Sequence, residues 1–246
     1  MEGSPDYLKT VAVQCFQENI IRQPLHDIPP KGVHPMARYA YNVTYVPDLS
    51  ANPLPVNSDA ALSRHMSLRK NFKKLPEATK AEFTERLTLG VEKRYWTVIK
   101  GAELDKLRRL EGGGHFLPAN YVLKDPAGTS STKARFMLDP LQVFNGTLLT
   151  PVNVENKIGD VLRCQQALTI IGTQDISKAF FRLRLSPAAK KIVFLMDMNS
   201  QGELTADDTP GTRLVAVSVD VSVMGINQTP LLLALVLPKE LEALQQ

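Results

Sequence analysis

Five valines, Val215, Val217, Val219, Val221 and Val223, alternate with other residues without interruption. Successive side chains of a strand point to opposite faces, so this alternation puts all five valines on one face and predicts a half-buried strand. Such a strand needs partner strands and a layer over its apolar face. Candidate partners occur along the chain. Ala37–Val46 (ARYAYNVTYV) is aromatic and β-branched, which suits a strand. Phe116–Lys124 and Lys133–Leu138 are expected to form two strands joined by a Gly/Ser/Thr turn, and Thr169–Ile171 a short apolar one.

Helical periodicity fills the intervals. Asn57 or Ser58 is placed to cap a helix whose Leu68, Phe72 and Leu75 share one stripe. Pro76 suits the start of a second helix, with Phe83, Leu87, Val91 and Tyr95 recurring every four residues on its buried face. Asn153 is placed to cap a third, with Ile158, Val161 and Leu162 inward, and Pro230–Leu244 forms a last one. The expected fold class is α+β. Seven prolines between Pro24 and Pro55 break any long element there, so residues 1–56 are expected to form an arm that is loosely packed before Ala37. A basic helical region follows at 57–110, and the mixed remainder at 111–246.

With 246 residues and 43% hydrophobic content the chain supports a substantial core. Two cysteines, Cys15 and Cys164, make neither a disulfide framework nor a zinc site by themselves. His26, His34, His65 and His115 have no metal-ligand spacing, and Gly112–Gly114 lacks the Lys-Ser/Thr of a phosphate-binding loop. No basic segment leading into an apolar run opens the sequence, and no apolar run is long enough to span a bilayer, so an intracellular protein with no membrane partner is expected. The net charge of +4 is unevenly spread, because Ala51–Leu110 carries 13 Lys/Arg against 7 Asp/Glu. That segment is either a solvated helical face or a phosphate-binding surface; Arg69, Lys70, Lys73 and Lys74 are its candidate nucleic-acid contacts.

Thr173–Leu185 (TQDISKAFFRLRL) follows the short apolar strand and places Asp175 at its end. A strand end holds a carboxylate rigidly, and an Asp there either caps a helix or ligates a divalent cation together with a neighbouring carbonyl oxygen. Before it come FLPANYVLK (116–124) and STKARFMLD (131–139), and after it MGINQTP (224–230). In this order the segments resemble the fingers and palm of retroelement reverse transcriptases. Upstream, NPLPVNSDAALSRHMSLRKNFKK (52–74) and GVEKRYWTV (90–98) resemble the stretch that precedes the polymerase motifs in Pao-type LTR retrotransposons. The resemblance covers roughly Ala37 to Leu235.

The resemblance implies an RNA-directed DNA polymerase whose partners are an RNA template, a DNA primer and deoxynucleoside triphosphates, with two Mg2+ ions as cofactors. It implies that Lys124 and Arg135 grip the triphosphate and that Asp175, with the Ile176 carbonyl, holds metal. It also implies that Phe180, beside Ala179, excludes a 2′-hydroxyl, and that Met224 and Gly225 line the nucleotide pocket. Met224 stands where the family has Phe or Gln, and Thr229 where it has Ser or Ala. The family's YxDD hairpin is not found between Pro230 and Gln246; Asp207-Asp208 precedes MGINQTP in a turn-like TADDTPG context and suits a structural turn. Asp220 falls within the valine-rich stretch and matches no family carboxylate. A two-metal transfer needs both ions placed on the reacting oxygens, so the expected chain is fingers and partial palm, inactive alone. The alternative is a non-catalytic nucleic-acid-binding relic. A palm lacking its hairpin should expose apolar strand edge; the expected outcome is aggregation or a low unfolding midpoint, which a thermal scan of the isolated chain checks.

Overall fold

A computed structural model of the chain describes residues 14, 17–18, 20–24, 39–47, 57–99, 115–123, 134–140, 144–149, 179–185 and 192–244. In chain order their elements are β1 (Ile20–Pro24), β2 (Tyr39–Val43), α1 (Ser58–Phe72), α2 (Glu77–Glu92), β3 (Trp96–Val98), β4 (His115–Phe116), β5 (Ala119–Leu123), β6 (Ala134–Leu138), a 3-10 turn (Ala179–Arg182), β7 (Leu183–Leu185), β8 (Ile192–Met198), β9 (Leu204–Thr205), β10 (Arg213–Val219) and α3 (Thr229–Leu244). Helices and sheets are mixed, as the α+β reading requires. None of the described helices is long and apolar enough to cross a membrane.

The largest sheet runs β3-β10-β8-β4, with β9 also on β8. β8 reads IVFLMDM, and its residues Ile192 to Asp197 are all buried, which marks a strand covered on both faces. On one face Phe194, Met196, Val217 and Val219 join a core that extends from Ile20 to Val236. On the other, Val193, Leu195 and Ala216 pack with Ala61 of α1 and Phe116 of β4. The β5–β6 hairpin lies over α1 and α2. Its Tyr121 ring meets Phe72 and Phe83 at 6.3 and 6.2 Å, and Phe136 meets Phe83 at 5.9 Å. A third sheet pairs β1 antiparallel with β2, and β2 parallel with β7.

Several expectations need correction. Phe116–Lys124 is not one strand: β4 pairs parallel with β8, Pro118 separates it from β5, and β5 turns into the hairpin with β6. Proline carries no N–H for a ladder, which is reason enough for the break. Asn57 sits at the N-cap but makes no capping bond; its side chain receives the Phe116 N–H at 2.9 Å and donates to the Phe116 carbonyl at 2.7 Å, so it ties α1 to β4 instead. Part of the N-terminal arm is strand, since β1 pairs along its whole length with β2. The valine-rich strand ends at Val219, and Val221 then bridges to Arg184 of β7. β8 had no sequence-based expectation at all. The helix expected from Asn153 and the strand expected at Thr169–Ile171 lie outside the described residues.

Trp96 is the packing centre. Its ring lies 5.5 Å from Phe136, 5.8 Å from Phe181 and 6.0 Å from Phe194, and its Nε1–H donates to the Leu87 carbonyl at 3.1 Å. The indole lies against Gly90 of α2, where any Cβ would overlap it. Ala normally stabilises a helix interior relative to Gly by about 1 kcal/mol. Gly90→Ala is expected to do the opposite and cost about 1–3 kcal/mol from overpacking, read as a lower midpoint in urea unfolding followed by Trp96 fluorescence.

Candidate functional site

A groove of about 790 Å³ opens between α2 and the turn that precedes β7. Its walls include Tyr95, Phe136, Met137, Ala179, Phe180 and Met224. Four separate stretches of sequence meet here, at 82–96, 136–138, 179–181 and 223–224. The 3-10 turn places Phe181 4.8 Å from the Tyr95 ring, and Phe180 and Phe181 are both half-buried on the groove. β6 contributes Phe136 and Met137, next to Arg135, whose backbone pairs with Val122 in the hairpin. Met224, 56% exposed, closes the third side. An ion pair between Arg86 and Glu82 (2.8 Å) borders the α2 wall. The lining is apolar and aromatic with charge at the margin, as small-molecule sites commonly are.

Gly225 follows with φ 98°, a left-handed conformation that favours glycine, and a Cβ there would lie 3.0 Å from Pro140. Behind it the MGINQTP segment is held by polar side chains. Gln228, fully buried, donates to the carbonyls of Val46 (2.7 Å) and Leu149 (2.8 Å) and accepts the Val46 N–H (2.8 Å). Thr229 and Ser222 share a hydrogen bond at 2.7 Å, and Ser222 shares another with Tyr45 at 2.8 Å. Burial pushes the Tyr45 hydroxyl up to about 12 against the opposing pull of those bonds, so it stays protonated in this buried chain. Gln228 and Thr229 as internal ties were not legible in the sequence, since nothing local announces their distant partners.

The basic residues of α1 divide. Lys70, Lys73 and Lys74 are exposed. Arg69 turns inward and binds both carboxylate oxygens of Asp197, a residue with no exposed surface on β8. His65 Nε2 bonds the same carboxylate at 3.1 Å. Arg69 and Lys73 each lie 3.5 Å from Asp208, a partly exposed carboxylate in the loop before β10. Arg69 is therefore engaged by Asp197, and the exposed positive charge here rests on Arg64 and Lys70 of α1 and on Lys73 and Lys74 just after it. Asp220, one residue past β10, accepts bonds from Thr97 and Ser218 and secures the junction of β3 and β10. Lys124, Asp175 and Ile176 lie outside the described residues. Asp197 was missed in the sequence although the signal was there: one charge within an otherwise apolar run demands a partner.

No protein-family model matches the chain, and no curated protein matches it.

Burial alone would push the Asp197 carboxyl up, but the bonds and charges of His65 and Arg69 outweigh it and hold the group below the ordinary carboxylate range. A depressed folded-state value contributes stability that is full above about pH 4 and is lost as pH falls through that value. Asp197→Ala is expected to cost about 3–5 kcal/mol by stranding Arg69, and Asp197→Asn to flatten the acid limb of a stability-versus-pH curve from urea unfolding.

Proposed function

We propose that the chain is a reverse-transcriptase-like module, the fingers and part of the palm of an RNA-directed DNA polymerase from a Pao-type retrotransposon, and that its groove takes a deoxynucleoside triphosphate. The observation that carries this reading is convergence. Ala179 and Phe180 come from one motif of the resemblance and Met224 from another, and all three line one groove, alongside the strand that bears Arg135. Each residue suits its part. Arg135 suits a phosphate it can fork onto, Phe180 the sugar, and Met224 and Gly225 the base pair. When bound, two Mg2+ ions would activate the primer hydroxyl and steady the departing pyrophosphate. Asp175 is the one carboxylate matched to holding them, and a two-metal transfer requires more than one. Asp208 is no substitute, since Asp207-Asp208 precedes the MGINQTP segment and lacks the aromatic residue of the family's hairpin.

Binding without transfer is therefore the expected behaviour. Primer extension with Mg2+, an RNA template and a DNA primer should give no product; processive extension would overturn that expectation. Deoxythymidine triphosphate should quench Trp96, the only tryptophan in the chain, which lines the groove. Arg135→Ala should weaken that binding about tenfold or more, the worth of a charge-assisted hydrogen bond.

The second reading, nucleic-acid binding alone, draws on the exposed lysines of α1. Affinity for an RNA–DNA hybrid should then fall steeply with salt. Lys70→Ala and Lys74→Ala should each reduce the slope of log K against log salt by about one. An RNA–DNA hybrid bound with no nucleotide-dependent quench would favour this reading over the first.

A further inference from the structure

We propose that Asn145 is the positioning residue of the groove's Met224 wall, an inference that rests on the reading of the groove as a nucleotide site. Met224 begins a turn that reaches Asn227, and that turn is grasped by one distant side chain. Asn145 Nδ2 donates to the Gly225 carbonyl at 2.9 Å, and Asn145 Oδ1 accepts the Asn227 N–H at 3.0 Å. The Asn227 side chain returns a weaker bond to the Asn145 carbonyl at 3.4 Å. A primary amide offers a donor and an acceptor side by side, so one Asn satisfies two backbone groups of the turn as a paired strand would.

The turn has reason to need this grip. Its glycine adopts φ 98° outside any strand or helix, and Pro140 bounds it on one side. Met224 projects from it mostly into solvent. A methionine has three freely rotating bonds, so on a loose turn its thioether would sample many places and define no wall. Fixing the Gly225 and Asn227 backbone fixes where the Met224 side chain starts, at the groove mouth. Gln228 anchors the far end of the segment to Val46 and Leu149, so the chain after the turn stays in place whatever happens at Asn145.

The bond to the Gly225 carbonyl is exposed and the two to Asn227 are part-buried, so water replaces them at a modest cost in folding free energy. Asn145→Ala should therefore leave global unfolding nearly unchanged while loosening the turn. Methyl-labelled methionine spectra, with Met224 assigned through Met224→Leu, give the first readout. In Asn145→Ala the Met224 methyl should move toward its unfolded-chain position, and the Asn227 amide should exchange about tenfold faster, the equivalent of roughly 1.4 kcal/mol of local opening. Asn145→Asp keeps the acceptor and loses the donor, so it should fall between wild type and Ala. The second readout is deoxythymidine triphosphate titrated against Trp96 fluorescence, expected to weaken about three- to tenfold in Asn145→Ala, the worth of one neutral hydrogen bond. An unchanged Met224 methyl and an unchanged Asn227 exchange rate would overturn the positioning role. If those two move while wild-type protein shows no nucleotide quench, the positioning role stands and the nucleotide reading falls.

Discussion

The contact between the Trp96 indole and the bare Cα of Gly90 sets the geometry around it. The indole reaches the Leu87 carbonyl because α2 presents no side chain at Gly90. From that seat the ring meets aromatic neighbours from the hairpin (Phe136), the 3-10 turn (Phe181) and the central strand (Phe194). Edge-to-face pairs of this kind each contribute about 0.5–1.5 kcal/mol beyond the area they bury. Several elements that lie far apart in the chain are thus indexed to one side chain. The groove inherits its shape from the same contact, for Tyr95 and Phe181 pack against each other at its floor and leave Phe180 on its wall.

Polar groups act differently from this aromatic cluster. Apolar packing tolerates small slips, whereas a buried carboxylate or amide is satisfied in few positions and so selects one arrangement. Asp197 fixes where α1 crosses β8, because His65 and Arg69 together satisfy it. Gln228 fixes the start of α3 against Val46 and Leu149, and the Tyr45–Ser222–Thr229 chain does the same one layer deeper. These ties account for the unusual content of the MGINQTP segment, in which most side chains are spoken for by the protein itself.

What was legible in the sequence was whatever local chemistry decides. The helical stripe of Phe83 and Leu87, the strand at Ala134–Leu138 and the final helix all follow from spacing. What was not legible depends on partners remote in the chain. β8 is an apolar run with no alternation, since it is covered on both faces, and such a run does not declare strand over helix. Asn57 has the chemistry of a helix cap, and the nearby Phe116 backbone simply competes better for it. Arg69 looked like a surface cation because nothing in α1 reveals a buried aspartate waiting on β8. Of the residues that line the groove, Ala179, Phe180 and Met224 had been singled out in the sequence, and those that hold them had not.

The pairing of β2 with β7 bears on how the chain comes to be folded. Tyr41 pairs with Leu183, and Val43 with Leu185, in parallel register. The closure entropy of so long an intervening loop has to be met before that pairing returns anything, and β1 gains its full setting only when β2 does. During synthesis the N-terminal hairpin would emerge long before its third strand, with β2 offering an open edge in the meantime. The sheet can thus close only when its last-made strand arrives, while the helices between β2 and β7 lie close together in sequence and can form before it.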